Sequence, residues 1–320
     1  MAAMEWILGI DGGGTKTTGC AGDPTGKVYG QVESGASNYH VVGIGGFKTA
    51  IGEVIAKAES AFGLSRSKLR LISLGLAGVD RPRDREIIAA ALADLGLACR
   101  FIINNDAKIA LAAGNGAVRG IVLIAGTGSI AYGVDARGQS FRAGGWGHLI
   151  SDEGSGYDIG RQGLLRGIKA WEGRVGPSVL LEKIMDYLQV ADMDELIGAV
   201  YNPAASKAFI ASLAEVVTAA AREGDLLARG ILADAAKELA GLVESVLERG
   251  FPGEASVPVC GYGSLLRNSE LIRKDLIRHF AGRIRFLLPE EDPVAGALRI
   301  GVDCLKAGRQ AETVSDNPRR

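Results

Sequence analysis

A strand–turn–strand pattern occurs twice in this chain, and this repeat limits the folds that the sequence can adopt. The first copy is LGIDGGGTKTTGCAG at residues 8–22, and the second is GIVLIAGTGSIAYGV at residues 120–134. The copies align without a gap, and the match continues into the next hairpin, where Asp23 matches Asp135. Two unrelated glycine-rich hairpins are the alternative, since such turns are common. A match over two consecutive hairpins favours two homologous domains, each contributing one turn to a shared ligand site.

The residue types in the first turn are those that bind phosphate groups. Gly13 and Gly14 let backbone N–H groups approach an anion closely, and Thr15 adds a hydroxyl donor. Lys16 supplies a positive charge, and Asp11 is a candidate ligand for a phosphate-bound Mg²⁺. A second strand follows the turn, whereas the two commoner phosphate-binding glycine motifs lead into a helix. The turn therefore predicts a nucleotide-phosphate site of a different architecture.

Composition excludes several classes of protein. A chain of 320 residues can form two domains, and 47% hydrophobic with 23% charged residues is typical of globular proteins. A net charge of −1 gives no basic surface for nucleic acid or an anionic membrane. No apolar run approaches the ~20 residues of a membrane span, and the early first strand indicates no signal peptide. Four scattered cysteines predict reduced thiols in a cytoplasmic protein, without a disulfide framework or metal site.

Hydrophobic periodicity predicts two α/β halves, each with the order βββαβαβα. After three strands, the first half has predicted helices at 47–62, 84–95 and 107–113 and strands at 69–76 and 100–103. The second half has strands from 120 to 141, then a helical insertion at 156–249. Its remaining elements are strands at 257–260 and 284–287 and helices at 264–280 and 294–305. The predicted domains are residues 1–116, joined by a C-terminal helix at about 294–320, and residues 117–293.

Two helices rich in small residues are expected to approach each other closely. Ala110, Ala113 and Gly114 lie in one of them, and Gly296 and Ala297 lie in the other. Side chains this small let two helix backbones come together without a cavity between them.

Five motifs in order make the chain resemble the superfamily of sugar kinases, heat-shock ATPases and actin. They are residues 11–18, about 106–114, 125–129, 259–264 and about 294–301. The resemblance implies two ribonuclease H-like (actin-like ATPase) domains, with Mg²⁺ and ATP in the cleft between them. It also implies that the residues which contact ATP are Gly13, Gly14, Thr15, Lys16, Thr127, Gly128, Gly261, Tyr262 and Gly263.

Within that superfamily the chain is most similar to N-acetylglucosamine kinases and to the related BadF/BadG/BcrA/BcrD ATPases. The segments that carry this likeness are DGGGT at 11–15, SN at 37–38, NDA at 105–107, GTGS at 126–129 and GGWGHLISDEGS at 144–155. The likeness implies that Asp106 is the catalytic base. The residues it implies for the sugar are Asn38, Asp106, Gly145, Trp146 and Asp152.

Each of these residues also has a structural interpretation. Asp106 and Asp152 are near predicted helix starts, where a carboxylate can serve as a cap or interact favourably with the helix dipole. Trp146 could be a sugar platform or a core aromatic, and Lys16 could be a solvated strand-edge lysine. His148 has no cysteine or histidine cluster around it, which favours packing or a hydrogen bond over metal binding.

The sequence therefore predicts a kinase that transfers phosphate from Mg·ATP to the 6-hydroxyl of N-acetyl-D-glucosamine. The alternatives are a D-glucosamine kinase and an ATPase that activates a radical dehydratase. The only partner expected is a small amino sugar, with no nucleic acid and no membrane. The extra helical surface of the insertion is compatible with a homodimer.

Overall fold

The computed structural model describes residues 4–79, 81–202 and 206–308, which fold into two compact units. The first unit is formed by the described residues of 1–122, 133–140 and 289–320, and the second by those of 123–132 and 141–288. The predicted C-terminal helix extends into residues 309–320, which lie outside the described residues.

The first half of the chain contains a five-stranded sheet with the strand order β3-β2-β1-β4-β5. β1 pairs antiparallel with β2 and parallel with β4, so the glycine-rich turn joins the two strands of a hairpin at the carboxyl end of β1. The elements are β1 (Trp6–Gly12), β2 (Lys16–Gly22), β3 (Val28–Gly35), α1 (Tyr39–Phe62), β4 (Leu69–Leu76), α2 (Pro82–Ala93), β5 (Arg100–Asn105) and α3 (Asp106–Asn115). The predicted βββαβαβα order is confirmed here.

The second half repeats the order around a sheet with the strand order β10-β9-β6-β7-β8. Its first elements are β6 (Gly120–Ala125), β7 (Ser129–Val134) and β8 (Ser140–Gly144). The predicted helical insertion consists of α4 (Gly156–Trp171), α5 (Leu180–Leu188), α6 (Met193–Val200), α7 (Lys207–Glu223) and α8 (Leu226–Gly250). The last elements are β9 (Val257–Tyr262), α9 (Ser264–Asn268), α10 (Glu270–His279), β10 (Ile284–Leu287) and α11 (Pro293–Lys306).

β1 is buried on both faces, since its side chains alternate between two apolar layers. Leu8 and Ile10 belong to the core cluster that also contains most of the buried residues of α1. Ile7 points to the opposite face and clusters with Leu298 of α11. A Cβ on Gly9 would lie 2.4 Å from the backbone nitrogen of Leu298, so only glycine allows α11 to pack this closely on β1. Burial on both faces therefore fixes the position of β1, which carries Asp11 as its next-to-last residue.

The expected close approach of α3 and α11 is present within the first unit. A Cβ on Gly296 would lie 1.9 Å from the carbonyl oxygen of Ile109 and 2.5 Å from the backbone nitrogen of Ala113. The Arg299 guanidinium also donates to the carbonyl oxygen of Ala112 at 2.6 Å, which ties α11 to the end of α3.

Replacing Gly296 by alanine should therefore force the two helices apart. We expect Gly296→Ala to lower the free energy of unfolding by about 3 kcal/mol, measured by chemical denaturation. Gly241→Ala is the matched control, because Gly241 lies within α8 with open space around it and should gain about 0.5–1 kcal/mol. Equal responses of the two variants would contradict the close packing.

Two helix boundaries differ from the sequence-based expectation. α1 begins at Tyr39 and not at residue 47, because it is two helical segments joined across a kink at Gly43, where φ is 68°. The helix predicted for 264–280 is instead α9 and α10, because Ser269 has extended backbone and its hydroxyl caps α10 by accepting from the N–H of Ile272.

Candidate active site

The first glycine-rich turn is tied to the loop that precedes α1. The N–H of Gly13 donates to the carbonyl oxygen of Lys16 at 3.0 Å, which closes the hairpin. The carbonyl oxygen of Gly13 accepts from the N–H groups of Ser37 and Asn38, both at 3.0 Å. Gly14 is exposed, and a Cβ there would meet nothing closer than 3.9 Å. These hydrogen bonds fix the turn on the side that faces the loop before α1. Gly14 and Thr15 are exposed, so the other side of the turn is open.

Asn38 lies beside this turn as the N-terminal cap of α1. Its side-chain oxygen accepts from the N–H of His40 at 3.0 Å. The amide nitrogen of Asn38 has no hydrogen-bond partner within the described part of the chain, so it keeps a donor for a ligand. The following residue anchors the loop, since the Tyr39 hydroxyl donates to the buried carboxylate of Asp84 at 2.5 Å.

Asp106 is the first residue of α3, and the helix cap is its neighbour. The side-chain oxygen of Asn105 accepts from the N–H of Lys108 at 2.8 Å. The Asp106 carboxylate is half-buried and accepts from the N–H of Ala107 at 2.9 Å. The capping role that a carboxylate could have had here therefore belongs to Asn105.

Asp11, at the end of β1, is surrounded by negative charge. Burial raises the pKa of Asp11 from 3.8 to about 7, and the charges of Asp106 and Asp292 contribute to this rise while Lys16 opposes it. Sequence reasoning did not single out Asp292, which is the N-cap residue of α11 and makes no side-chain capping bond. Asp292 and Asp106 both stand at the start of a helix, and this shared position was the available signal.

These carboxylates fit a magnesium ion that is bound mainly through other ligands. Among the described residues, no three histidine, cysteine or acidic side chains are close enough to enclose a metal ion. Mg²⁺ usually keeps several waters and takes one or two carboxylates together with substrate phosphates. Asp11 suits that mode, since a bound cation would offset both the burial and the repulsion that raise its pKa. The nearby Lys16 ammonium is exposed and paired with Glu33 at 2.5 Å.

The second turn is pinned to the start of α4. Gly126 donates its N–H to the carbonyl oxygen of Gly128 at 3.0 Å, and it accepts from the N–H of Gly156 at 2.7 Å. The carbonyl oxygen of Thr127 accepts from the N–H of Tyr157 at 3.4 Å. Thr127 remains exposed and Gly128 half-buried, so the outer side of this turn is also open.

Asp152 supports this second turn from beneath. Its side chain is 3% exposed, and its backbone has a φ of 68°. One carboxylate oxygen accepts from the N–H of Ser129 at 3.2 Å, and the other pairs with the ammonium of Lys207 at 2.6 Å. A Cβ on Gly128 would lie 3.0 Å from both carboxylate oxygens. The Asp152 carboxylate is therefore already bonded to groups of the protein, the Ser129 N–H and the Lys207 ammonium.

Removing the Lys207 ammonium should leave a buried charge without its partner. We expect Lys207→Met to lower the free energy of unfolding by about 2–3 kcal/mol, reduced from a fully buried pair because Lys207 is partly exposed. Lys274→Met, which breaks an exposed pair with Glu270, should cost less than about 0.5 kcal/mol. Combining Lys207→Met with Asp152→Asn should restore part of the loss. A simply additive double variant would argue against the pairing.

Trp146 is a surface side chain and not a core aromatic, since 60% of it is exposed. The Arg142 guanidinium lies 4.3 Å from its ring centroid, in cation–π contact. That guanidinium also donates to the carbonyl oxygens of Gly144, at 3.0 Å, and Gly145. Gly145 has a φ of 72°, a conformation that favours glycine. The Trp146 side chain is thus exposed on a loop that the Arg142 hydrogen bonds hold in place.

His148 lies edge-on to Tyr157, with ring centroids 4.9 Å apart.

A cavity of about 540 Å³, here called the first cavity, adjoins the second turn. Thr127 and Gly126 form part of its wall, and Ser264 and Asn268 of α9 form another part. Gly261 and Tyr262 are buried in β9, and Gly263 packs on the carbonyl oxygen of Ala125 with a φ of 100°. They come directly before Ser264 in the chain and do not line the cavity themselves.

The sequence missed the third wall of this cavity, which is formed by α7. Its lining residues there include Ala208, Ala211, Ser212, Glu215 and Arg222. The Arg222 guanidinium reaches the carbonyl oxygen of Asn268 at 2.5 Å and so connects α7 with the end of α9. Small residues spaced along one face of a predicted helix were the only available signal, and such a pattern does not specify what the helix faces.

Paired βββαβαβα halves, each with a Gly/Thr hairpin turn, define an actin-like ATPase fold. The chain belongs to the BadF/BadG/BcrA/BcrD ATPase family, whose profile matches residues 8–301. An N-acetylmuramic acid/N-acetylglucosamine kinase of Clostridium acetobutylicum is 36% identical over 301 residues, covering 93% of this chain and 98% of that protein. An N-acetyl-D-glucosamine kinase of Dictyostelium discoideum is 35% identical over 320 residues, covering 95% of this chain and 100% of that protein.

A solved structure from Chromobacterium violaceum, a candidate N-acetylglucosamine kinase, superposes with a TM-score of 0.75 at 28% identity. The match covers 92% of this chain and 98% of that one. The resemblance to N-acetylglucosamine kinases is thus confirmed. None of the helices in the described ranges has an apolar stretch of the length needed to cross a membrane.

Proposed function

We propose that this protein is an ATP-dependent amino-sugar kinase that phosphorylates the 6-hydroxyl of N-acetyl-D-glucosamine. The observation that carries the proposal is the half-buried Asp106 carboxylate at the carboxyl end of β5, whose charge helps to raise the pKa of Asp11 at the carboxyl end of β1. Open α/β sheets bind their ligands at this edge. Phosphoryl transfer requires a carboxylate that orients the attacking hydroxyl and a second group that holds the metal shell.

In the first unit, we assign the base role to Asp106. Its carboxylate would accept the proton of the sugar hydroxyl while the hydroxyl oxygen bonds to the γ-phosphorus and the bond to the β-phosphate oxygen breaks, releasing ADP. Asp11 would hold Mg²⁺ through its water shell, and the metal when bound would neutralise charge on the phosphates. Gly13, Gly14 and Thr15 would donate to phosphate oxygens. The Lys16 ammonium would also bind phosphate, after its ion pair with Glu33 has opened. The amide nitrogen of Asn38 would donate a hydrogen bond to the sugar.

In the second unit, Thr127 and Gly128 would bind phosphate, and the first cavity would take the nucleoside. Gly261, Tyr262 and Gly263 would pass close to the adenosine, next to the lining residue Ser264. For the sugar, we assign Gly145, Trp146 and Asp152. Trp146 would cover one face of the sugar with its exposed ring. Asp152 would contact a sugar hydroxyl only after its pair with Lys207 opens, so we expect its contribution to depend on closure around the substrate.

The state of the cysteines favours a kinase over an ATPase that shares an iron–sulfur cluster. Cys20 and Cys260 are buried, and no cysteine forms a disulfide. Burial raises the pKa of the Cys20 and Cys99 thiols to about 11 and that of Cys260 to about 12, whereas cluster ligands are thiolates. Free thiols also fit the proposed cytoplasmic location.

A coupled assay of ADP release with Mg·ATP tests the proposal. We expect turnover with N-acetylglucosamine, and comparison with glucosamine, N-acetylmannosamine and glucose identifies the group that the enzyme requires. Glucosamine as the better substrate would favour the alternative, a D-glucosamine kinase. ADP release that is independent of every sugar would refute the kinase and favour the ATPase activator. Product analysis by ³¹P NMR would identify the hydroxyl that is phosphorylated.

A further inference from the structure

A second cavity, of about 440 Å³, lies in the second unit among α4, α6 and α7, and the proposed reaction makes no use of it. Its walls are mainly apolar. They include Leu164 and Ile168 of α4, Leu196 and Val200 of α6, and Ile210 of α7. A cavity of this size and character usually binds part of a small molecule.

The polar groups of the second cavity are basic or neutral. Lys207 is one of them, but its ammonium is already paired with Asp152 at 2.6 Å. Arg161 is another, and it is exposed with no hydrogen-bond or ion-pair partner within the described ranges. No described residue that lines the cavity carries a carboxylate. An exposed guanidinium that has no protein partner among the described residues therefore stands beside an apolar wall.

The second cavity borders the segment that we assign to the sugar. His148 lines it, and this residue is two positions after Trp146 on the same loop. Lys207 also lines it and holds Asp152, whose other oxygen bonds to Ser129 after the second turn. These links place the cavity next to the residues of the second unit that we assign to the sugar, Trp146 and Asp152.

We propose that the second cavity is a subsite for a carboxylate-bearing substituent of the amino sugar, with Arg161 as the group that binds the carboxylate. This inference rests on the proposed kinase function and extends its substrate class to acidic amino sugars. The apolar walls would cover the carbon atoms of the substituent, and the guanidinium would accept its charge in a forked pair of hydrogen bonds. A bare hydroxyl or a neutral acetamide would use only one of these two features.

The test compares N-acetylmuramic acid, which carries a lactyl ether, with N-acetylglucosamine, which does not. The quantity measured is the ratio of the two kcat/KM values. We expect Arg161→Gln to lower this ratio about 10- to 100-fold, and Arg161→Lys to restore part of it. Arg166→Gln is the matched control, because Arg166 is on the same helix, pairs with Asp234 and does not line the cavity. It should leave the ratio unchanged.

Each outcome has a defined meaning. If the protein phosphorylates N-acetylglucosamine but the ratio is the same in the wild type and Arg161→Gln, the subsite is refuted while the kinase stands. If no sugar is phosphorylated, the proposed function fails. Calorimetric binding of N-acetylmuramic acid then decides the subsite, which stands only if Arg161→Gln weakens binding and Arg166→Gln does not. A change in molecular mass by light scattering in Arg161→Gln, with the ratio unchanged, would assign this face to a second copy of the chain and overturn the proposal.

Discussion

Asp106→Asn is expected to lower kcat with N-acetylglucosamine about 10²- to 10⁴-fold, the usual contribution of a general base. The substitution removes the charge and keeps the size of the side chain. Asn105 remains the cap of α3, and the new amide oxygen can still accept from the N–H of Ala107, as the carboxylate does at 2.9 Å. We therefore expect no loss in the free energy of unfolding, with a small gain where Asp11 is ionised because the repulsion between the two carboxylates is removed. KM values for MgATP and sugar should stay within about threefold of the wild type.

A second carboxylate at a helix start provides the control for this experiment. Asp192 caps α6 by accepting from the N–H of Glu195 at 2.9 Å, and it lines neither cavity. Asp192→Asn should leave kcat unchanged. Near-wild-type turnover by Asp106→Asn would remove Asp106 as the base, and so would equal losses in the two variants.

Asp11→Asn is expected to change activity and stability in opposite directions. Loss of the metal-binding carboxylate should reduce turnover at least about 10²-fold and raise the Mg²⁺ concentration needed for half-maximal activity. The same change should stabilise the ligand-free protein, because it removes a charge that Asp106 and Asp292 repel. Functional sites that hold like charges close together commonly gain stability and lose activity when one of the charges is removed.

The stability gain of Asp11→Asn should depend on pH. In the folded protein the pKa of Asp11 is raised from 3.8 to about 7, so the folded state holds a proton that the unfolded chain has released between these values. The wild type therefore loses stability as pH rises through this window, by up to about 2 kcal/mol between pH 5 and 8. Thermal unfolding at these pH values without Mg²⁺ measures the effect. Asp303→Asn, on the exposed side of α11, should show no such dependence. A gain that is equal at both pH values would contradict the electrostatic cause.

The parts of the fold that depend on local patterns could be predicted from the sequence. The turn repeat and the alternation of apolar residues in β1 determine strand positions, and both patterns are contained in short segments. The start of α1 could not be found in this way. Gly43, Gly45 and Gly46 lower helix propensity, yet Asn38 caps a helical segment ahead of them and the chain tolerates a kink at Gly43.

The candidate site could be predicted only where its residues stand within a motif. Asp11 and Asp106 belong to recognisable turns, whereas Asp292 is important through its charge on a residue far away in the sequence. The partner of Asp152 could not be predicted either, because Lys207 follows it by 55 positions. The packing of the helices decides which residue a lysine contacts, and no short sequence pattern predicts this contact.

Helix α7 forms a wall of both cavities in the second unit, with Ala211 and Glu215 lining the first and Ile210 lining the second. It has no room to move toward α4, because a Cβ on Gly160 would lie 2.0 Å from the carbonyl oxygen of Ile210. A ligand that displaced α7 would therefore be expected to change the walls of both cavities. By thermodynamic reciprocity, two ligands coupled in this way would alter each other's affinity by the same factor. Attempts to redesign the acceptor preference of this protein by enlarging or filling the second cavity should consequently be accompanied by a measurement of nucleotide affinity, since the two properties share one structural element.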